Sequence, residues 1–188
     1  SGVLPDAHFV SPHAPWPCEM APMGRQWFSL AQYDPGMLRA DDARADALKA
    51  QMRTGAGQAA PVIHKFLDDQ LARLGLDESA LAIVGFSQGG MMGLRVALER
   101  PRPCAALLGY SAAFLGPETP SAKPPVLLVH GEDDDVVPVE SLDAATEALH
   151  GLGLSVHAHR RPGLGHGIDP EGLQLGAEFL HRHLSATG

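Results

Sequence analysis

The sequence predicts an α/β fold in which helices cover both faces of a mostly parallel β-sheet. Short apolar runs of strand type alternate with helical patterns along the chain, and this alternation is typical of βα units. One apolar strand also runs through Gly-x-Ser-x-Gly, at residues 85–89, directly into a helical pattern. We expect strands near residues 7–11, 80–85, 104–110, 125–130 and 154–161.

Apolar residues at helical spacing predict the helices near residues 60–74, 88–100, 139–150 and 170–184. The polar, alanine-rich stretch 39–58 is expected to form an exposed helix with a break at Gly55–Gly57. The proline-rich segment Gly116–Pro125 is expected to be a loop. With 188 residues and no internal repeat, the chain 1–188 is expected to form a single domain.

Composition excludes several classes of partner and structure. A net charge of −8 without a basic cluster argues against nucleic acid and anionic membranes. No apolar run approaches the roughly 20 residues that span a bilayer. The first residues of the sequence have no basic region followed by an apolar core, but targeting stays open because the chain is expected to extend upstream. The two cysteines are too few for a disulfide framework, and Cys104 is expected in the core. A cytoplasmic location is therefore expected.

The Gly-x-Ser-x-Gly stretch is the signature of a nucleophile elbow, the sharp strand-to-helix turn that projects a serine hydroxyl. Leu81–Val84 reads as the strand, and the helix carries apolar residues with a buried spacing from Met91 to Leu98. Such a turn strains the serine backbone and leaves no room for side chains two residues away. Gly85 and Gly89 are expected to meet that demand around Ser87.

An acid and a histidine follow Ser87 at the ends of later strands. Asp134 lies in the acidic loop after strand 125–130, and His166 lies in a glycine-rich turn after strand 154–161. The carboxyl ends of parallel strands meet at one edge of the sheet, where catalytic groups gather. Taken singly, the acidic loop also fits a solvated loop or a weak cation site, and His166 is one of ten histidines.

The three residue types fit one chemistry. A serine hydroxyl is a poor nucleophile until a hydrogen-bonded imidazole takes its proton, and a carboxylate must orient that imidazole and stabilise its charged form. The chain order Ser87, Asp134, His166 is the order that this kind of fold requires.

Three motifs resemble the carboxylesterase/phospholipase family of α/β-hydrolases, which includes acyl-protein thioesterases and lysophospholipases. They are Gly-Phe-Ser-Gln-Gly-Gly at 85–90, His-Gly-x-x-Asp-x-x-Val-Pro at 130–138 and Gly-x-Gly-His at 163–166. The resemblance implies a carboxylesterase or thioesterase that uses no metal or organic cofactor. It makes Ser87 the nucleophile, Asp134 the acid and His166 the base. It also makes the Gln88 backbone N–H one donor of the oxyanion hole.

An upstream segment also resembles that family, at Ser11–Pro15 and Gln26–Phe28. Apolar residues in this proline-interrupted region must either cover the core or line a cleft. The resemblance implies that Trp27, with Phe28, contacts the substrate. The other residues for which both readings remain open are Trp16, Met20 and Met23.

The same resemblance implies a segment that is not found before Val3. Family members begin with a strand and a His-Gly-x-Gly loop, whose N–H is the second oxyanion donor. We therefore expect the coding sequence to extend upstream by roughly 30 residues, about one strand–loop–helix unit. A preparation that begins at Ser1 is expected to be weakly active, or to associate as a homo-oligomer through its exposed sheet edge.

The sequence thus predicts a serine hydrolase that cleaves small acyl esters or thioesters through an acyl-enzyme on Ser87. The alternative, suggested by the missing oxyanion loop, is a non-catalytic α/β-hydrolase-like protein that binds a ligand or a partner.

Overall fold

The computed structural model describes residues 4, 6–39 and 43–185. Short 3₁₀ geometry at Glu78–Ala80 precedes the first strand of the main sheet. The helices and strands, in chain order, are β1 (Trp16–Pro17), β2 (Arg25–Gln26), α1 (Pro35–Arg39), α2 (Ala43–Leu74), β3 (Ala82–Phe86), α3 (Gln88–Glu99), β4 (Ala106–Tyr110), β5 (Val126–Gly131), α4 (Glu140–Gly151), β6 (Val156–Arg161) and α5 (Pro170–Leu184).

Four parallel strands form the main sheet in the order β3-β4-β5-β6. Every residue of β4 and β5 is buried. Such strands read as continuous apolar runs in the sequence because both of their faces are covered. The strands predicted near 80–85, 104–110, 125–130 and 154–161 are therefore confirmed, as is the α/β class.

Helices cover both faces of this sheet. Side chains alternate along each strand, so Leu107 and Leu128 pack in one core cluster with apolar residues of α2, α3 and α4. Their neighbours Leu108 and Val129 pack on the opposite face with Phe179 of α5. The two-faced arrangement expected from the βα alternation is confirmed.

The strand predicted at 7–11 is wrong. Residues 7–14 belong to no strand, and Phe9 is 70 % exposed. A short apolar run forms a strand only where a neighbouring strand supplies hydrogen bonds and a layer covers one face. Neither condition is met by this segment, and among the described residues β3 is an edge strand of the main sheet.

The structure has one long helix in place of the two predicted at 39–58 and 60–74. Helix α2 is continuous from Ala43 to Leu74 and includes Pro61. The predicted break at Gly55–Gly57 is therefore wrong. Within the helix, Gly55 serves a packing contact, since a Cβ at this position would lie only 2.6 Å from the Phe28 Cβ. The stretch is also only partly exposed, since a stripe of α2 that includes Met52 is buried.

Smaller predictions are settled by the same structure. Cys104 is buried in the core as predicted, and residues 116–125 contain no helix or strand. Within the described part of the chain, no helix combines the length and the apolar run that crossing a bilayer requires.

Candidate active site

Ser87 lies in the turn between β3 and α3, with φ 52° and ψ −123°. A positive φ is uncommon for a residue with a side chain and is found where the surrounding structure enforces it. The Ser87 N–H donates to the Tyr110 carbonyl of β4 at 2.9 Å. A Cβ on Gly85 would overlap the backbone of Gly89. The predicted elbow and the need for Gly85 are therefore confirmed.

The prediction for the second glycine of the elbow is wrong. A Cβ on Gly89 would meet nothing within 4 Å, whereas a Cβ on Gly90 would lie 2.7 Å from the Ala112 Cβ. The close approach is made by the next residue because α3 begins at Gln88 and turns Gly90 towards the end of β4.

We expect Gly85→Ala to lower the free energy of unfolding by about 1–3 kcal/mol or more, because the new methyl group meets rigid backbone. Urea unfolding followed by circular dichroism measures this change. Gly89→Ala is the matched control. It should leave stability unchanged or raise it by up to about 1 kcal/mol, since alanine favours a helix over glycine. Equal losses for both variants would contradict the steric assignment.

Ser87, His166 and Asp134 form one hydrogen-bonded set. The His166 Nε2 lies 3.0 Å from the Ser87 Oγ. The Nδ1 of the same ring lies 2.9 Å from the Asp134 Oδ2 and 3.1 Å from its Oδ1. The structure thus brings together the three residues that the sequence singled out, with serine and carboxylate on opposite nitrogens of the imidazole.

Asp134 is held inside its loop by backbone amides. It is 2 % exposed, and its Oδ1 accepts hydrogen bonds from the N–H groups of Val136 and Val137 at 2.9 and 2.8 Å. Burial opposes ionisation, but the hydrogen bonds from His166, Val137 and Val136 outweigh it and lower the pKa of this carboxyl. Asp133 and Asp135 are exposed, so only Asp134 of these three is directed inward.

The carboxyl edge of the sheet is joined by backbone hydrogen bonds beyond the strands. The Ser111 N–H, after β4, donates to the Val129 carbonyl of β5 at 3.0 Å. After β5, the Glu132 N–H donates to the Arg161 carbonyl of β6, also at 3.0 Å. The Asp133 N–H then donates to the Leu164 carbonyl at 3.0 Å. These bonds bring the acidic loop and the histidine loop together.

His130 is a functional candidate that the sequence reasoning missed. It is buried, its Nε2 lies 2.7 Å from the Val137 carbonyl oxygen, and the same nitrogen lies 3.4 Å from the Asp134 Oδ2. Burial lowers the pKa of this imidazole, although the Val137 carbonyl and the Asp134 charge oppose that shift. The His130 ring is therefore neutral, and its Nε2–H donates to the Val137 carbonyl, which holds the loop that carries Asp134 in place. The motif at 130–138 contained His130, but only the fold places it there.

Phe86 is a second residue that the sequence did not single out. Its ring centroid lies 4.7 Å from that of His166, with the planes tilted by 41°. Phe86 is exposed at the end of β3, which is an edge strand of the main sheet among the described residues. Phe86, the residue directly before Ser87, therefore packs its ring against the imidazole of His166.

Gln88, Trp27 and Phe28 lie beside the elbow. Gln88 is the first residue of α3, where a backbone N–H has no acceptor within its own helix. Its side chain hydrogen-bonds the backbone of Trp27 and Phe28. Trp27 is half-buried and packs against the core cluster, whereas Phe28 is only 3 % exposed and belongs to that cluster. Of the two predicted substrate contacts, Trp27 alone keeps appreciable exposed surface.

Of the other apolar residues of this segment, Trp16 lines a groove together with Phe28 and Gly55 of α2. All of these other residues lie on the antiparallel pair β1-β2 and the turn between its strands, and Met23 is 97 % exposed. The exposed residues of this set are Trp16, Met20 and Met23.

The described residues contain no group of three or more His, Cys, Asp or Glu side chains that could hold a metal ion. The expectation that the chemistry needs no cofactor stays a prediction.

Comparison with known proteins identifies the family. The profile of the phospholipase/carboxylesterase family matches residues 2–184. The chain belongs to that family. The predicted resemblance to the phospholipase/carboxylesterase family is thereby confirmed, together with the α/β-hydrolase fold, and the protein is a hydrolase.

Individual members of the phospholipase/carboxylesterase family show how far the similarity extends. Acyl-protein thioesterase 1 of Gibberella zeae is 28 % identical over 196 residues, which cover 96 % of this chain and 79 % of that protein. Esterase YpfH of Escherichia coli K12 is 29 % identical over 179 residues, covering 95 % and 71 %. The crystal structure of esterase PE8 superposes with a TM-score of 0.81 at 38 % identity, covering 94 % of this chain and 78 % of that one.

Proposed function

We propose that this protein cleaves carboxylic esters or thioesters through an acyl-enzyme formed on Ser87. The observation that carries the proposal is the placement of His166 between two partners: its Nε2 is 3.0 Å from the Ser87 Oγ, and its Nδ1 is 2.9 Å from the Asp134 Oδ2. This geometry supports a base that can remove the serine proton while a buried carboxylate orients it. The named esterase and thioesterase relatives support the same substrate class.

The reaction divides into acylation and deacylation. In acylation, the Ser87 Oγ forms a bond to the acyl carbon while its proton passes to the His166 Nε2. Collapse of the tetrahedral intermediate breaks the C–O or C–S bond, and His166 returns the proton to the departing alcohol or thiol. Water then repeats the sequence on the acyl-enzyme and releases the carboxylic acid. Asp134 stabilises the charged imidazole in both halves and keeps its own charge.

The oxyanion of each tetrahedral intermediate needs donors that are fixed before the reaction. We assign one of them to the Gln88 N–H, because Gln88 begins α3 directly after Ser87. A helix N-terminus favours negative charge, and one such donor typically supplies about 2.7–4 kcal/mol of transition-state stabilisation. Trp27 is proposed as a wall of the acyl site beside this donor.

A covalent probe tests the acyl-enzyme proposal without assuming a substrate. We expect an alkyl fluorophosphonate to add one phosphonyl group per chain, with loss of fluoride, as measured by intact-protein mass spectrometry. Peptide mapping should place the added mass on Ser87. Ser155→Ala, at an exposed serine before β6, is the matched control and should label fully. An unlabelled wild-type chain with intact fold would instead favour the ligand-binding alternative.

A cytoplasmic location, a homo-oligomer and a single domain over 1–188 stay predictions.

A further inference from the structure

The two residues after β2 have their backbone groups paired by a side chain from the elbow. The Trp27 N–H donates to the Gln88 Oε1 at 2.7 Å, and the Gln88 Nε2 donates to the Phe28 carbonyl at 2.9 Å. One carboxamide therefore supplies the acceptor and the donor that a neighbouring strand would offer. The two partners lie about 60 residues away along the chain.

A second anchor holds the same segment. Phe28 packs in the core against Gly55 of α2, where a Cβ would lie 2.6 Å from the Phe28 Cβ. Trp27 is thus fixed between a core anchor and the carboxamide of Gln88. The backbone N–H of that same Gln88 begins α3.

We propose that the Gln88 side chain is a positioning residue that fixes Trp27 relative to the oxyanion donor and thereby sets the preference for the acyl group. This inference rests on the proposed function of Ser87. Glutamine is suited to the task because its amide offers a donor and an acceptor at the required reach. Methionine offers neither group, and an ionised glutamate offers no donor. A purely structural side chain would change all acyl substrates alike, whereas a positioning residue changes their ratio.

Gln88→Met tests the positioning role. We expect the ratio of kcat/KM for p-nitrophenyl octanoate to that for p-nitrophenyl acetate to change by on the order of tenfold, because small displacements at a binding surface are costly. Gln174→Met is the matched control, at an exposed glutamine of α5 that hydrogen-bonds Glu178 on its own helix. Its ratio should equal that of the wild type. An unchanged ratio in a folded Gln88→Met variant would overturn the inference.

Gln88→Glu provides a reversible version of the test. A protonated carboxyl can accept from the Trp27 N–H and donate to the Phe28 carbonyl, whereas the ionised form loses the donor and repels that carbonyl. The octanoate-to-acetate ratio of this variant should therefore move towards the wild-type ratio as the pH falls from 8 to about 4, where an ordinary glutamate carboxyl becomes largely protonated. Because the ratio cancels the common pH dependence of the two esters, the wild type should show a flat line. A flat line for Gln88→Glu as well would count against the proposal.

A measurement without turnover separates this inference from the proposed function. The chain has two tryptophans, so a Trp16→Phe background leaves Trp27 as the only indole. Acrylamide should quench Trp27 fluorescence at least twofold more efficiently in Gln88→Met than in the parent. Equal quenching would overturn the positioning role. An unreactive Ser87 combined with altered quenching would remove the proposed function and its acyl preference, while the positioning of Trp27 would stand.

Discussion

Ser87→Ala should lower kcat for a short p-nitrophenyl ester by about 10⁴- to 10⁶-fold, because no other group at the site can form the acyl-enzyme. Steady-state hydrolysis, corrected for background, measures the loss. The free energy of unfolding should change by less than about 1 kcal/mol. Alanine has the same backbone strain at φ 52° as serine, and only the hydrogen bond to His166 is lost.

Ser155→Ala again supplies the control, since it removes an exposed serine hydroxyl from the same chain. Its turnover and its urea midpoint should match those of the wild type. Residual turnover within tenfold of the wild type in Ser87→Ala would rule out Ser87 as the nucleophile.

Asp134→Asn should lower kcat/KM by about 10⁴-fold, whereas Asp133→Asn and Asp135→Asn should stay within about threefold of the wild type. The reason is the tautomer. An asparagine amide facing the His166 Nδ1 donates a hydrogen bond there, which places the ring proton on Nε2 and leaves no acceptor for the Ser87 hydroxyl. The neighbouring acids are exposed and carry no such contact.

Kinetics of the three variants should be compared with their thermal unfolding. In Asp134→Asn, the new carboxamide keeps an oxygen for the two backbone amides that now donate to Asp134. A large loss of activity with a folded chain is therefore the expected pattern for this variant. If Asp135→Asn were the inactive variant instead, the assignment of the acid would be displaced by one residue.

The parts of the site that follow from local chemistry could be predicted from sequence. The elbow depends on a short steric pattern around Ser87, and the chain order of acid and histidine follows from the topology of a parallel sheet. Both can be recognised without knowing distant contacts. The structure accordingly places His166 between Ser87 and Asp134.

The errors and omissions share a dependence on distant contacts. The short apolar run at 7–11 has strand character, but no strand pairs with it among the described residues. Gly55 and Gly57 each disfavour a helix by about 1 kcal/mol relative to alanine. The packing of Phe28 against Gly55 nevertheless favours one unbroken α2. The side-chain roles of Gln88 and His130 likewise depend on partners that only the fold brings close.

The backbone bonds along the carboxyl edge of the sheet have a consequence for motion. The loops that carry Ser87 and Asp134 leave strands that are tied to the next strand, through Ser87 to Tyr110 and through Glu132 to Arg161, and the loop of His166 is tied to the acidic loop through Asp133 to Leu164. Moving the backbone of the Ser87 loop or the acidic loop away from the site therefore breaks hydrogen bonds that continue the ladder of the sheet. We expect these two loops to open together with the ends of the strands rather than independently of them.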